Sequence, residues 1–350
     1  MNFLRSYLAA YLMWLGVPLG CLVVLMIHHI AGGRWGFSVR RVLEAATRTI
    51  GWMALLFVPV LLGMKSLYPW MQPTTDETML HKRPYLNAPF FVVRAVVYFG
   101  VWIALAALLN RWADRLERER DPQLAHRLRG LCGVGLGLYG LTITFAAVDW
   151  VMSLEPHWFS TIYGVMLGVG QVLTGLATTI VIAAWLMRDK TFAETAGPQQ
   201  FHDLGNLLLT FVILWAYMAF SQYLIIWSGN LREEIPWYVA RSRGGWQWVA
   251  VALIVFHFAI PFFFLLSRDL KRNATKLAAV AVGLLVMRQV DLWWIVTPNF
   301  FPVVHVTWLD VTLTLVLGGL WLALFARQLR ARPLVPAYDA QLDEEVAAHG

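Results

Sequence analysis

Residues 130–159 read GLCGVGLGLYGLTITFAAVDWVMSLEPHWF, a long apolar run that ends in aspartate, proline and aromatic side chains. Residues 275–301, TKLAAVAVGLLVMRQVDLWWIVTPNFF, end in the same way. Asp149 and Asp291 each lie near the end of their run, and a proline follows seven residues later in both. Because an ionisable group at that position is costly in lipid, it needs a partner or a function. The repetition therefore predicts a duplicated membrane unit with one buried aspartate in each copy.

The composition of the whole chain is that of an all-α polytopic membrane protein. Its 350 residues are 59% hydrophobic and only 14% charged, with a mean hydropathy of +0.59, whereas soluble domains carry about 25% charged residues. The apolar runs are long enough to cross the ~30 Å hydrocarbon core. We predict nine spans, at 7–30, 47–67, 89–110, 130–152, 160–187, 203–228, 245–267, 275–297 and 306–328. The first run is too long for a signal peptide, so we expect it to be a retained helix.

Basic residues lie in alternate loops and predict the orientation. Loop 111–129 carries six arginines, whereas the loops after the fourth and eighth spans carry no lysine or arginine. The positive-inside rule then places the N-terminus outside and the C-terminal tail in the cytoplasm. Both aspartates of the repeat fall near the outer side. A basic segment, 34–48, is expected to lie on the membrane surface.

The repeat divides the chain into two four-helix bundles. Spans 1–4 occupy residues 1–158 and spans 5–8 occupy residues 159–304, with a ninth helix at 305–330 and a tail at 331–350. Four spans per copy is an even number, so both copies share one orientation and form a parallel repeat about the membrane normal.

Several kinds of chemistry have no support in the sequence. The two cysteines, Cys21 and Cys132, lie inside apolar runs, and the chain has no Cys-x-x-Cys-His haem motif, phosphate loop or HExxH motif. His28 and His29 are adjacent and His257 lies at another depth, so we expect no haem or metal to be bound by this chain. The net charge of +7 comes from arginines beside helix ends and does not indicate a nucleic-acid partner.

Ionisable residues at three depths are candidates for a proton path, since protons hop between carboxylates, imidazoles and water. Arg288 and Asp291 are three residues apart on one helix and are expected to pair. The alternative is that each buried charge only holds helices together. The candidates are Asp149, Asp291, Asp310, Arg288, Glu155 and His157 near the outer side, His257 at mid-depth, and Asp203, His28 and His29 toward the inner side.

A set of motifs carries a family resemblance. The motifs are Ser6-Tyr7-Leu8, His28-His29 with GGRWG at 32–36, DWVMSLEPHWFSTIYG at 149–164, HDLGN at 202–206, SQY at 221–223, WSGNLREEIPWY at 227–238 and SRDLKR at 267–272. Together they resemble the ActF-type membrane subunits of bacterial alternative complex III, within the NrfD-like, or polysulfide-reductase membrane-subunit, superfamily. The resemblance covers nearly the whole chain. The family usually has ten spans and this chain has nine, so its first flanking helix is absent or the sequence begins within the family pattern.

The resemblance implies a subunit of a quinol:cytochrome c oxidoreductase in the bacterial cytoplasmic (inner) membrane, acting in a respiratory or photosynthetic chain. It implies a homologous ActC-like membrane subunit, an iron–sulfur subunit and c-type cytochrome subunits as partners, besides membrane lipids. Iron–sulfur clusters and c-type haem would belong to those partners, and menaquinol or ubiquinol would be the substrate of the complex. The family's quinol site is placed in the ActC-like sister. For this subunit the resemblance implies a role in assembly, with proton movement as a further expectation. Two alternatives stay open: a secondary transporter and a purely structural anchor for redox subunits.

Overall fold

The computed structural model describes residues 2–336 and 338, and within them helices joined by short connections form the whole architecture. Nine of these helices are long and apolar enough to cross a membrane, which confirms the predicted all-α polytopic fold. We label them α1 Asn2–Ala31, α2 Arg34–Leu62, α3 Ala88–Glu119, α4 Pro122–Leu154, α5 Tyr163–Leu186, α6 Pro198–Gly229, α7 Trp246–Leu266, α8 Ala274–Asn299 and α9 Trp308–Arg330.

The helix bundle has two ends, which we call the N-terminal face and the arginine-rich face. The N-terminal face holds the start of α1, the ends of α4 and α8 and the start of α9. The arginine-rich face holds the end of α1, the start of α2 and the turn between α3 and α4. Contacts between distant parts of the chain fix this arrangement, since Arg5 of α1 donates to the His305 carbonyl before α9. The membrane type and the orientation of the termini remain predictions.

The helix α2 differs from expectation at its start. Arg34–Thr47, expected at the membrane surface, forms the first part of α2 and packs against α1, α5 and α9, so most of the segment is buried between helices. Two arginines of this segment, Arg40 and Arg41, are buried beside acidic groups that neutralise them: Arg41 binds Glu44 at 2.8 Å and Glu117 of α3 at 2.7 Å. Hydropathy alone misses this segment because it counts the charges and not their pairing.

The arginine-containing segment 111–129 is also helical, apart from its turn. Helix α3 continues to Glu119, Arg120 takes a left-handed conformation with φ of 51°, and α4 begins at Pro122. The Asp121 carboxylate caps α4 by accepting from the backbone N–H of Gln123 at 2.9 Å. The end of the apolar run therefore does not mark the end of the helix.

Packing places α1 and α5 at the centre. In their most apolar stretches 89% and 78% of residues are buried, against 22–44% in the other seven helices. Helices α1 to α4 contact one another in the cyclic order α1, α2, α3, α4, and helices α5 to α8 do so in the order α5, α6, α7, α8. The two rings meet where α1 packs on α5, and α9 lies against α1 and α2. A duplicated unit requires equal contact orders, but the duplication itself stays a prediction until the two halves are superposed.

Glycine makes the central contact between α1 and α5 close. A Cβ at Gly20 would overlap the backbone carbonyl oxygen of Gln171, and a Cβ at Gly175 would lie 2.5 Å from the backbone nitrogen of Cys21. Small residues that allow two backbones to approach are a usual basis of helix packing in membranes. The two rings are therefore joined by a contact that tolerates no side chain at these two positions.

The segment after α9 folds back onto the arginine-rich face. Arg332 forms an ion pair with Asp114 of α3, and a guanidinium N–H of Arg40 donates to the Tyr338 carbonyl at 3.1 Å. The rest of the predicted tail, with Asp339, Asp343, Glu344 and Glu345, lies outside the described residues.

Candidate functional site

Each of the three predicted outer aspartates is buried and has its own arginine. Asp149 at the end of α4 receives hydrogen bonds at 2.8 Å on both carboxylate oxygens from Arg94 of α3. The Tyr98 hydroxyl donates to it at 2.7 Å. Both partners lie on the neighbouring helix of the same ring, so this pair joins α3 to α4. The Asp149 carboxylate thus accepts three hydrogen bonds from α3, as expected of a group that holds helices together.

Asp310 forms the second pair and also caps a helix. Its carboxylate binds Arg5 of α1 at 2.7 and 2.8 Å. It also accepts from the backbone N–H and the hydroxyl of Thr307, at 2.7 and 2.9 Å, at the start of α9. The pair thus fixes the first turn of α9 against α1.

Asp291 forms the third pair, within α8. Arg288 donates to its carboxylate, so the expected ion pair three residues apart is present. Trp215 of α6 donates its indole N–H to the same carboxylate at 3.3 Å. The Arg288 guanidinium lies against the α-carbon of Gly170 in α5, where a Cβ would collide with it. Asp291 has fewer donors than Asp149 or Asp310, so its carboxylate is less completely hydrogen-bonded.

His257 lies beside this third pair, on α7. Residues Leu253–Ala259 form a π-helical turn, and His257 within it is fully buried. Pro261 has no N–H for the His257 carbonyl and its ring crowds that carbonyl, so a regular helical turn is disfavoured there. The imidazole packs on the Trp215 ring, with ring centroids 4.1 Å apart. Neither ring nitrogen has a hydrogen-bond partner among the described residues.

This arrangement brings three predicted candidates together, His257, Arg288 and Asp291, around the Trp215 ring. We call these four residues the α6–α8 cluster. A buried imidazole without a partner costs roughly 1–3 kcal/mol, and π-helical turns are frequent at functional sites. Chemically, the cluster combines an imidazole without hydrogen bonds to the described residues, which packs on Trp215, with a carboxylate that accepts from the same tryptophan and whose charge is balanced by Arg288.

The remaining candidates lie apart from this cluster. His157 is half exposed and its Nε2 lies 3.3 Å from an Asp76 carboxylate oxygen at the N-terminal face. Asp203, also partly exposed, accepts from the Gln199 amide at 2.9 Å. His28 and His29 are buried at the end of α1, with ring centroids 5.4 Å apart, and His28 packs edge-on against Trp35. No hydrogen bond between described residues connects these groups to the α6–α8 cluster.

Arg241 is a buried cation that the sequence did not single out. It lies at the end of the short helix Ile235–Arg241, with 1% of its surface exposed. Its guanidinium donates to the carbonyls of Trp237 and Ile295 at 2.9 and 2.7 Å and lies 3.7 Å from the Trp237 ring centre. Burial lowers the pKa of Arg241 to about 10. The available signal was the run of aromatic residues around it, since an arginine packs on tryptophan faces.

Glu155, another candidate, follows α4 at the N-terminal face and is partly buried. Burial raises the pKa of the Glu155 carboxyl above its ordinary 4.5, and the charges of Arg241 and His157 oppose this with smaller effects. The folded state therefore favours the neutral acid. This favourable contribution is fully present below pH 4.5 and is lost as the pH rises through the folded-state pKa.

A substitution at Glu155 tests whether the ionised carboxyl destabilises the folded state at neutral pH. We expect Glu155→Gln to raise the thermal unfolding midpoint at neutral pH, because glutamine keeps the uncharged form, and to leave it unchanged below pH 4.5. The measurement is the unfolding midpoint of purified protein across pH. Glu77→Gln, an exposed acid on the same face, is the matched control and should leave the midpoint unchanged at either pH. A destabilised Glu155→Gln variant at neutral pH would show that the ionised carboxylate has a partner.

The described residues contain no group of three or more His, Cys, Asp or Glu side chains that could hold a metal ion. Cys21 and Cys132 are both buried and not in a disulfide. In comparisons with known proteins, no family model and no curated protein matches the chain. The resemblance to the ActF-type subunits therefore depends on the sequence motifs alone.

Proposed function

We propose that this chain is an integral membrane subunit of a quinol:cytochrome c oxidoreductase of the alternative complex III type, in the bacterial inner membrane. In this proposal it supports assembly of the complex and moves protons. Its partners are an ActC-like membrane subunit, an iron–sulfur subunit and c-type cytochromes, which hold the redox cofactors and receive electrons from quinol. The motif resemblance and the nine-helix membrane fold support this assignment of class.

The observation that carries the proton-moving part is the α6–α8 cluster. His257 is fully buried on a π-helical turn, with both ring nitrogens free of hydrogen bonds among the described residues. A group that only held helices together would use those nitrogens to bond a neighbouring helix, as the arginines of Asp149 and Asp310 do. An imidazole beside a carboxylate can pass a proton between two paths that approach it from opposite sides of the membrane.

The proteins and cofactors that co-purify with the chain from its own membranes test the proposed class of protein. The full chain, tagged and purified in mild detergent from its own membranes, should carry c-type haem absorbance and iron–sulfur proteins with it. Quinol:cytochrome c activity should follow the same fractions. A particle that contains the chain and no redox protein would overturn the proposal and favour the transporter reading. Against that reading, the interruptions of α2 and α7 do not occupy corresponding positions in the two rings.

Substitution of His257 tests the proton step. We expect His257→Leu to lower quinol turnover on the order of 100-fold, the lower end of what a positioned proton carrier contributes, while the complex still assembles. The proton-to-electron ratio in vesicles is the second measurement. His81→Leu, which removes an exposed histidine at the N-terminal face that is not among the proton-path candidates, is the control and should change neither quantity. Full turnover and an unchanged ratio in an assembled His257→Leu complex would leave the chain as a structural anchor.

A further inference from the structure

The outward face of α3 carries one continuous stripe of exposed residues that is apolar along most of the helix and basic at its end. Eight exposed residues recur every three or four positions, so they lie on one side of the helix. The first five are apolar or small and the last three are arginines. The stripe consists of Val93, Val97, Gly100, Ala104, Leu108, Arg111, Arg115 and Arg118.

The arginine end of the stripe borders a cleft of about 360 Å³ at the arginine-rich face, lined by Arg111, Asp114, Arg115, Arg118 and Glu119. Both carboxylates of the cleft already have partners. Asp114 pairs with Arg332, and Glu119 accepts from Arg115 at 2.7 Å. Arg111 and Arg118 make no ion pair or side-chain hydrogen bond within the described part of the chain. Two guanidinium groups therefore face the cleft with their positive charge uncompensated.

The position of the cleft along the helix identifies its ligand. Arg111 is the first charged residue after the apolar run of α3, which places it where the hydrocarbon core ends and lipid phosphates begin. Guanidinium groups bind phosphate oxygens with two parallel hydrogen bonds. Toward the membrane interior the same stripe offers an exposed apolar track, with Val93 and Val97 55% and 53% exposed. A phosphate and an acyl chain joined in one molecule match both parts of the stripe.

We propose that this stripe is a binding site for an anionic phospholipid. Its phosphate lies in the cleft between Arg111 and Arg118, and one acyl chain lies along the residues from Leu108 to Val97, a length of about half the hydrocarbon core. This site is separate from the α6–α8 cluster and does not depend on the proposed redox function, since it needs only the membrane-spanning fold.

Lipid competition on the full-length protein tests the site. The protein is placed in nanodiscs of phosphatidylcholine with a small fraction of phosphatidylglycerol, and retained lipid is measured by native mass spectrometry. The wild-type protein should retain phosphatidylglycerol selectively, and added salt should weaken retention. Arg111→Gln with Arg118→Gln should weaken it roughly 30-fold, since each arginine near the charged surface contributes about fivefold. Equal retention of the two lipids by the wild type would overturn the proposal.

A charge-matched control separates this site from a general charge effect. Arg232→Gln with Arg243→Gln removes two exposed arginines from the opposite, N-terminal face and should leave lipid retention unchanged. An equal loss in this control, or no loss in the Arg111 and Arg118 variant, would contradict the site. Inorganic phosphate provides a further comparison. If millimolar phosphate displaced the lipid completely, the cleft would be a site for the free anion, and the lipid assignment would be wrong.

Discussion

Alanine at Gly20 is expected to be one of the most destabilising single substitutions in this chain, although it adds only one methyl group. The new Cβ would overlap the Gln171 carbonyl oxygen of α5, which is backbone and cannot rotate away. The two central helices would have to separate, and overpacking of this kind costs typically about 1–3 kcal/mol and occasionally more. We expect Gly20→Ala to lower the thermal unfolding midpoint of the purified protein strongly, and Gly175→Ala to do the same from the other side of the contact.

Glycines on the lipid-facing side of α4 supply the control. A Cβ at Gly133 or Gly137 would meet no atom within 4 Å. Because alanine is favoured over glycine in a helix by up to about 1 kcal/mol, Gly133→Ala and Gly137→Ala should leave the midpoint unchanged or raise it. If Gly20→Ala and Gly133→Ala behaved alike, the close approach of α1 and α5 would not be a determinant of stability.

The existence of nine spans was predictable because hydropathy over about 20 residues directly reports the cost of placing a segment in lipid. The helix ends were not predictable in the same way. Arg34–Thr47 and the segment 111–119 are helical although charged, because their charges are paired across helices or along one helix, as in Arg115 with Glu119. Hydropathy contains no information on such pairs.

The ion pairs differ in the same way: a pair within one helix could be predicted, whereas pairs between distant helices could not. Arg288 and Asp291 were predictable because three residues separate them on one helix. Arg94 and Asp149 are 55 residues apart, and Arg5 and Asp310 are 305 residues apart. Such partners meet only through the packing of helices, which one sequence does not specify. Arg5 in particular gave no signal beyond being a charge next to the first apolar run.

The π-helical turn at His257 was also outside the reach of sequence reasoning. Proline four residues later, at Pro261, indicates a disturbed helix but not the type of disturbance. The contact of the imidazole with Trp215 joins α7 to α6 and arises only when the two helices pack. The candidates could therefore be named from the sequence, whereas their grouping into one cluster could not.

Asp149→Asn is the second substitution expected to have a large effect, and it decides between two roles for the outer aspartates. It would leave the Arg94 guanidinium buried without a counter-charge, which costs about 3–5 kcal/mol when one partner of a buried pair is removed. Tyr98→Phe would remove only one hydrogen bond to the same carboxylate and should cost about 1–3 kcal/mol. Both are measured as the loss of unfolding free energy or midpoint in the purified protein.

The double variant Arg94→Met with Asp149→Leu removes both charges and separates the two roles. If the pair only joins α3 to α4, the double variant should recover most of the stability that Asp149→Asn loses, because an apolar pair can replace a buried ion pair at little cost. It should also retain quinol turnover and proton release. If Asp149 carries protons, stability should recover and turnover should not. The three hydrogen bonds on its carboxylate lead us to expect the first result, in contrast to His257, where loss of turnover should accompany a stable, assembled complex.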